Sequence, residues 1–277
     1  MKKDWLSKYT GEDIMSFRDL SKKISWKLFN MLYENKYDVD THTVRYLYKN
    51  NKSDMLCIVV SAFPQKNQMP SYNLVKTLWG KFNEGNLLYI CDDMVNIPTG
   101  GSYYIGCGGD YWGMDAIESL ISSVIIKSGA KKVIGIGSSK AGTAALMFGL
   151  KMKFDYLIVG ACQYKIGSYL NCNYHTKTLK ELTGMSEVTH EAILRLDSYL
   201  PQIISNNKGT ATKIYFHYSD SEHTYKEQIE ELLLDLYKND YEIVEDLHHY
   251  EHHDEVSRIF PAFLIKSLNQ ILQDNLS

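Results

Sequence analysis

Short apolar runs alternate along the chain with stretches in which apolar residues recur every three or four positions. The short runs predict strands at residues 43–49, 55–62, 86–91, 132–136, 156–160, 212–218 and 241–247. The periodic stretches predict helices at residues 12–35, 72–82, 114–127, 140–151, 225–238 and 256–272. Strands that alternate with helices of this length are typical of an α/β fold, in which helices cover both faces of a mostly parallel sheet.

The pattern also predicts how the chain is organised. No glycine- or proline-rich linker, composition shift or internal repeat divides the 277 residues, so we expect a single domain over residues 1–277. Residues 1–40 are expected to form a helical N-terminal extension. Residues 161–211 separate two strands and hold a helical stretch at 186–200. So long an insertion in a compact domain usually forms a lid or substrate cap, and we expect a lid here.

Composition and charge narrow the class of partner. Apolar residues make up 44% of the chain and charged residues 23%, as in a folded globular protein. The net charge of -3 gives no basic excess for nucleic acid binding. No apolar run approaches the roughly 18 residues that span a membrane, and residues 1–13 lack a signal-peptide pattern. The cysteines have no paired spacing, so we expect a cytoplasmic protein, with any membrane attachment peripheral at the inner face.

The segment after the strand at 132–136 carries the strongest chemical signal. It reads Gly-x-Ser-x-Ala, with Ser139 between Gly137 and Ala141 and with Gly142 directly after. A serine between small residues, at a strand-to-helix turn, is the sequence form of a nucleophile elbow. The segment lacks the third glycine of a dinucleotide fingerprint and the Gly-Lys-Ser/Thr triplet of a phosphate loop. A helix N-cap serine is the simpler alternative.

A serine nucleophile needs a base and an acid that orients the base. In folds with such an elbow, the acid and then the histidine follow the serine along the chain. Asp220 comes after the strand at 212–218 and is expected to be the acid; the alternative is that it caps the next helix. The base should stand just before the last helix, which leaves His252 and His253. We prefer His252, two residues before the expected N-cap at Asp254.

Four histidines lie close together, at positions 248, 249, 252 and 253. The pairs 248/252 and 249/253 have the i, i+4 spacing that binds a metal ion on a helix. This segment reads as a loop between a strand and a helix, so we expect no metal site. A solvated histidine loop without any triad is a further alternative.

Backbone N–H groups must also stabilise the oxyanion of a tetrahedral intermediate. One donor is expected from Lys140, the residue after the nucleophile. The other is expected from the turn Ser61-Ala62-Phe63-Pro64, which is similar to the His-Gly-x-Pro turn of many α/β hydrolases. This similarity assigns the Phe63 N–H to the oxyanion hole and gives Ser61 the position of the usual histidine.

Together these motifs resemble those of the α/β-hydrolase-type capsular polysaccharide O-acetyltransferases and, more distantly, other capsule-biosynthesis and accessory-secretion proteins. The resemblance extends from about residue 46 to the C-terminus and departs from the family pattern at Ala141, where glycine is expected. It rests on Ser61-Ala62-Phe63-Pro64, Ser102-Tyr103-Tyr104-Ile105, Gly137-Ser138-Ser139-Lys140, Asp220-Ser221-Glu222-His223 and residues 252–255.

The resemblance implies an α/β-hydrolase fold and an acetyl transfer. Acetyl-CoA would be the co-substrate, with no tightly bound cofactor, and hydroxyls of a polysaccharide or oligosaccharide would be the acceptors. The acetyl group would pass through an acetyl-Ser139 intermediate, with Asp220 and His252 completing the triad. Two alternatives stay open: a serine esterase, and a non-catalytic assembly factor whose partners are other capsule-biosynthesis proteins.

Overall fold

Residues 26–172 and 174–274 are described by the computed structural model, and their eight strands form one sheet. The strand order is β1-β2-β4-β3-β5-β6-β7-β8. Strand β2 is antiparallel to its two neighbours, and the strands from β3 to β8 run parallel to one another. The strands are β1 Glu34–Val39, β2 His42–Lys49, β3 Met55–Val60, β4 Asn86–Ile90, β5 Lys132–Ser138, β6 Tyr156–Gly160, β7 Lys213–Ser219 and β8 Glu242–His248.

Helices cover both faces of this sheet. They are α1 at residues 26–33, α2 Val75–Leu78, α3 Gly113–Ser128, α4 Lys140–Lys151, α5 Ile166–Leu170, α6 Thr176–Thr183, α7 His190–Asp197, α8 Tyr199–Asn206, α9 Glu230–Lys238 and α10 Val256–Asp274. A π-helical turn, Tyr225–Ile229, precedes α9, and a 3-10 turn, His253–Glu255, precedes α10. Among the residues described, no helix is both long and apolar enough to cross a bilayer.

The central strands are apolar throughout because both of their faces are covered. All six residues of β3 are buried: Leu56, Ile58 and Val60 join the core under α3, α4, α8 and α9. The alternate residues of β3 join a second core under α2 and α10. The α/β architecture expected from the sequence is therefore confirmed, and the carboxyl ends of the parallel strands meet at one edge of the sheet.

Three elements in the first third of the chain differ from the sequence-based prediction. Strand β1 was not predicted, because it is an edge strand of polar sequence that forms a tight hairpin with β2 through Asp40, whose φ is 50°. The predicted helix at 12–35 is described only from residue 26 and ends where β1 begins; residues 12–25 lie outside the described part of the chain. Helix α2 is shorter than the predicted 72–82 because Leu74, with a φ of 57°, cannot be helical.

The insertion at 161–211 contains four helices, α5 to α8, where the sequence predicted one helical stretch. The stretch predicted at 186–200 is two helices that meet at Ser198. Thr189 caps the first of them by accepting a hydrogen bond from the Ala192 amide at 3.2 Å.

An ion pair is buried inside the fold. The ammonium of Lys140, the first residue of α4, lies 2.5 Å from a carboxylate oxygen of Asp92, which follows β4, and both side chains are buried. Asp92 also accepts hydrogen bonds from the amide and the hydroxyl of Ser102, both at 2.8 Å. The pair therefore joins the start of α4 to the loop after β4.

We expect Asp92→Asn to lower the free energy of unfolding by about 3 to 5 kcal/mol, because it leaves the Lys140 charge buried without a partner. Urea unfolding followed by circular dichroism measures the change. The matched control is Glu230→Gln, which removes the partner of Lys226 in an exposed i, i+4 pair and should change little. A double change, Asp92→Asn with Lys140→Met, removes the buried charge and keeps an amide oxygen that can accept from Ser102, so it should recover part of the loss. If Asp92→Asn is no more damaging than the control, the pair has no such role.

Candidate active site

Ser139 stands at the sharp turn between β5 and α4, and its backbone is strained. Its φ of 57° and ψ of -132° are rare for a residue with a side chain. The turn needs Gly137, because a Cβ at that position would lie 2.4 Å from the backbone of Ala141. It also needs Gly142, where a Cβ would meet Cys162 Sγ at 2.7 Å. Ala141 itself fits, so the departure from the family pattern leaves the elbow intact.

A chain of two hydrogen bonds leads from the Ser139 hydroxyl into the protein. The Oγ atom lies 2.8 Å from Nε2 of His253, and Nδ1 of the same imidazole lies 2.7 Å from Oε2 of Glu222. The Glu222 side chain is fully buried and that of His253 is mostly buried. This is the geometry of a nucleophile, a base and an orienting acid.

Asp220 was expected to be the acid, and the structure corrects this expectation: its side chain does not reach this chain of hydrogen bonds. Strand β7 continues to Ser219, and the Asp220 amide still bonds to the His248 carbonyl, so the Asp220 side chain faces solvent. It pairs there with the exposed His249, at 2.7 Å, and that hydrogen bond lowers the pKa of Asp220. The hydroxyl of Ser219 then accepts from the Ser221 amide, and this turn directs Glu222 inward.

The preference for His252 as the base is corrected as well, because its neighbour His253 is the histidine that contacts Ser139. The turn before α10 begins at His253, and its N-cap is His252, two residues before the N-cap expected at Asp254. The Glu255 amide donates to the His252 carbonyl at 3.0 Å, and the His252 side chain is exposed. His253, the alternative left open by the sequence, lies against Ser139.

The two amides expected to stabilise an oxyanion are both available. The Ser61 amide donates to the Tyr104 hydroxyl at 2.6 Å, and the Ala62 amide donates to Asn73 Oδ1 at 2.8 Å. These contacts anchor the turn and leave the next amide, that of Phe63, without a partner within the described residues. The Lys140 amide, at the N-terminus of α4, is likewise without a partner in that part of the chain.

The buried Lys140 side chain packs against the Phe63 and Tyr104 rings. Its ammonium lies 5.5 Å from the centre of the Phe63 ring and 5.0 Å from that of Tyr104. Burial lowers the pKa of Lys140, and the nearby Asp92 carboxylate opposes that effect. One side chain therefore connects the amide after the nucleophile with the turn that carries Phe63.

A cavity of about 770 Å³ opens beside Ser139 and His253. Its wall includes Phe63 and three aromatic residues of the insertion, Tyr169, Tyr174 and His175. The His175 ring lies 4.5 Å from the Phe63 ring and 5.0 Å from the Tyr174 ring. Burial lowers the pKa of His175 to about 4, so this imidazole is neutral at physiological pH.

Sequence reasoning missed two residues that contact this centre. Glu222 was within reach of the sequence analysis, since it lies two residues after Asp220 in the same motif. Gln163 had no sequence signal; its amide nitrogen lies 3.0 Å from Ser139 Oγ.

One group of side chains among the described residues has the composition of a metal site. The ligand atoms of His217, Asp246 and His248 all lie within 4.8 Å of one another. Asp246 Oδ2 lies 2.7 Å from His217 Nδ1 and 3.1 Å from His248 Nε2, which are hydrogen-bond distances. The other ring nitrogen of His217 is buried without a partner in the described chain, whereas a metal-bound histidine usually donates from that atom. The histidine pairs 248/252 and 249/253 noted in the sequence do not form such a group.

Comparisons with known proteins show the fold. No protein-family model and no curated protein sequence matches the chain. Among solved structures, a variant of the capsule O-acetyltransferase of Neisseria meningitidis serogroup A in complex with CoA is similar over 86% of this chain and 95% of that one, with 19% identity and a TM-score of 0.68. The structural resemblance to this type of enzyme, expected from the motifs, is thus confirmed.

Two other solved structures share the architecture. The glycosylation-associated protein complex from Streptococcus agalactiae is similar over 86% of this chain and 46% of that one, with 17% identity and a TM-score of 0.69. The substrate-bound fluorophosphonate-binding serine hydrolase F of Staphylococcus aureus is similar over 83% and 96% of the two chains, with 14% identity and a TM-score of 0.53. The chain therefore has the α/β-hydrolase fold.

We expect the neutral His175 to make the protein less stable in acid. Its pKa is about 4 in the folded state against 6.5 in the unfolded chain, so unfolding takes up a proton between those values and stability falls as the pH drops from 6.5 towards 4. His175→Phe keeps an aromatic ring and removes the titration. Urea unfolding at about pH 7 and about pH 5 should show a smaller acid loss in this variant than in the parent. An equal loss in both proteins would contradict the assignment.

Proposed function

We propose that this protein is a serine acyltransferase that moves an acetyl group from acetyl-CoA to a hydroxyl of a polysaccharide or oligosaccharide. The observation that carries the proposal is the hydrogen-bonded sequence of Ser139, His253 and Glu222 at a strained elbow. The likeness to a capsule O-acetyltransferase fold supports the choice of reaction class.

In the first half of the proposed reaction, His253 Nε2 accepts the proton of Ser139 as Oγ attacks the thioester carbonyl. The amides of Lys140 and Phe63 donate to the oxyanion that forms. The C–S bond then breaks, the acetyl group stays on Oγ, and the imidazolium returns its proton to the CoA sulfur. Glu222 accepts the Nδ1–H hydrogen bond throughout, which stabilises the positive imidazolium.

In the second half, His253 removes the proton of an acceptor hydroxyl, which attacks the acetyl-Ser139 carbonyl. The same two amides stabilise the second oxyanion. The bond between the acetyl carbon and Oγ breaks, and His253 returns the proton to Ser139. Water in place of the sugar hydroxyl would turn the same sequence of steps into ester hydrolysis.

We propose that the insertion at 161–211 acts as the lid that selects the acceptor. Tyr169, Tyr174 and His175 of this insertion form the cavity wall beside Ser139. Aromatic rings suit the apolar faces of sugars, and a cavity of about 770 Å³ has the size of typical small-molecule sites. A neutral His175 adds polarity without charge.

An acetyl-CoA donor is a cytoplasmic metabolite, so we propose a cytoplasmic location. All five cysteines are free thiols, which is consistent with a reducing compartment. Other proteins of a glycan pathway are candidate partners, in line with the glycosylation-associated complex that shares the fold. We propose that no metal ion takes part.

We expect Ser139→Ala and His253→Ala to remove acetyl transfer, because loss of a triad member typically lowers turnover by on the order of 10⁴- to 10⁶-fold. The matched controls are the exposed neighbours: His252→Ala and Asp220→Asn should stay within about threefold of the parent, whereas Glu222→Gln should lose about 10²-fold or more. Rates of acetyl transfer and of fluorophosphonate labelling provide the ranking. Activity in Ser139→Ala within tenfold of the parent would rule out the proposed nucleophile.

We expect acetyl-CoA to add one acetyl group to Ser139, and a suitable polysaccharide to discharge it. Intact-protein mass spectrometry and peptide mapping detect the adduct, and a thiol reagent measures the release of CoA. Release that depends on the acceptor supports the transferase. Rapid hydrolysis of short acyl esters without any acceptor effect would favour the esterase. No adduct and no fluorophosphonate labelling would favour the non-catalytic assembly factor.

A further inference from the structure

Gln163 lies three residues after the end of β6 and points its side chain at the nucleophile. The side chain is fully buried. Its Nε2 atom lies 3.0 Å from Ser139 Oγ and 3.3 Å from the carbonyl oxygen of Ala161. Its Oε1 atom lies 3.2 Å from the hydroxyl of Tyr103, which is also buried.

The direction of this amide follows from its neighbours. A backbone carbonyl can only accept a hydrogen bond, so the atom that faces Ala161 must be the NH₂ group of Gln163. The oxygen end then faces Tyr103, whose hydroxyl can donate to it. Because the NH₂ group carries no acceptor, it must donate to Ser139 Oγ.

The backbone of Gln163 is fixed to the helix that begins at the nucleophile. Its amide donates to Thr143 Oγ1 at 2.8 Å, and the same hydroxyl donates to the Gln163 carbonyl at 2.9 Å. Thr143 is in the first turn of α4, and its own amide donates to the Ser139 carbonyl at 3.1 Å. Gln163 and Ser139 are therefore held in one rigid unit.

We infer that Gln163 is a catalytic residue that orients the Ser139 hydroxyl, an inference that rests on the proposed function. Because Oγ accepts from Gln163, its own hydrogen is free to point at His253 Nε2. That nitrogen must then be unprotonated, which leaves the proton on Nδ1, facing Glu222. The hydrogen bond from Gln163 selects the one arrangement in which the proton can move from Oγ to the imidazole.

The same contact favours both halves of the reaction. When the proton leaves Ser139, negative charge develops on Oγ and strengthens the hydrogen bond from the amide. When the acetyl-serine bond breaks, Oγ again carries negative charge and the amide again donates to it. We therefore expect Gln163 to affect acylation and deacylation alike.

The test compares Gln163→Leu, Gln163→Glu and the surface control Gln202→Glu with the parent. Fluorophosphonate labelling of Ser139 is measured from about pH 6 to about pH 9. Gln163→Leu loses the donor, and we expect labelling about 10- to 100-fold slower at every pH. The control, which changes an exposed glutamine of α8, should label at the parent rate.

Gln163→Glu separates orientation from packing. An ionised carboxylate can only accept, so it draws the Ser139 hydrogen away from His253, whereas a protonated carboxyl can donate as the amide does. Burial raises the pKa of such a carboxyl. We expect the labelling rate relative to the parent to rise as the pH falls, because the protonated carboxyl donates to Ser139 Oγ as the amide does.

Thermal unfolding first establishes that the variants fold. If neither Gln163 variant folds, Tyr103→Phe tests the inference instead, because it removes only the hydroxyl that holds the Gln163 amide. We expect this variant to be labelled about threefold more slowly than the parent, or slower still. If the parent is labelled and the folded Gln163 variants are labelled at the same rate, this inference alone is overturned. The same holds if the Gln163→Glu rate, relative to the parent, does not change with pH. Absence of labelling in the parent overturns the proposed function as well.

Discussion

Lys140 and Asp92 form an ion pair that is closed off from water, and the geometry of the candidate site depends on it. Removing two charges from water costs several kcal/mol each, so such a pair is a weak source of stability and a strong constraint on position. Lys140 directly follows Ser139, and Asp92 holds the Ser102 segment through two hydrogen bonds. The pair thus links the first residue after the elbow to the Ser102 segment.

The strained backbone of Ser139 persists because several contacts determine its position together. The Ser139 amide donates to the Gly160 carbonyl at 2.8 Å, which ties the turn to the end of β6. Glycines at 137 and 142 allow the neighbouring chains to approach, and helix α4 begins at once behind the turn. The hydroxyl is then held from two sides, by His253 and by Gln163. A side chain fixed in this way loses little freedom when it reacts.

The sequence was a good guide wherever a signal is local. The strand periodicity and the small residues around Ser139 predicted the sheet and the elbow. The oxyanion role of the Phe63 amide stays a prediction. The residues expected as acid and base lie one or two positions away from those that form the hydrogen-bonded chain to Ser139, because neighbouring side chains point in different directions. One extra residue at the end of β7 turns Asp220 outward, and an earlier start of the last turn makes His252 the cap. Gln163 has no pattern of its own, since only the folded chain brings it to Ser139.

The first residues of the insertion are fixed to the sheet and to helix α4. Residues 161 to 163 start the insertion, and the Ala161 amide donates to the His217 carbonyl on β7 at 2.9 Å, while Gln163 is fixed to Thr143 on α4. A shift of residues 161 to 163 would move the hydrogen bond from Gln163 to Ser139 and disturb the proposed chemistry. Variation in the proposed acceptor choice is therefore expected further along the insertion, at Tyr169, Tyr174 and His175, whose side chains line the cavity. The fold thus separates the residues that orient the nucleophile from those that can change with the substrate.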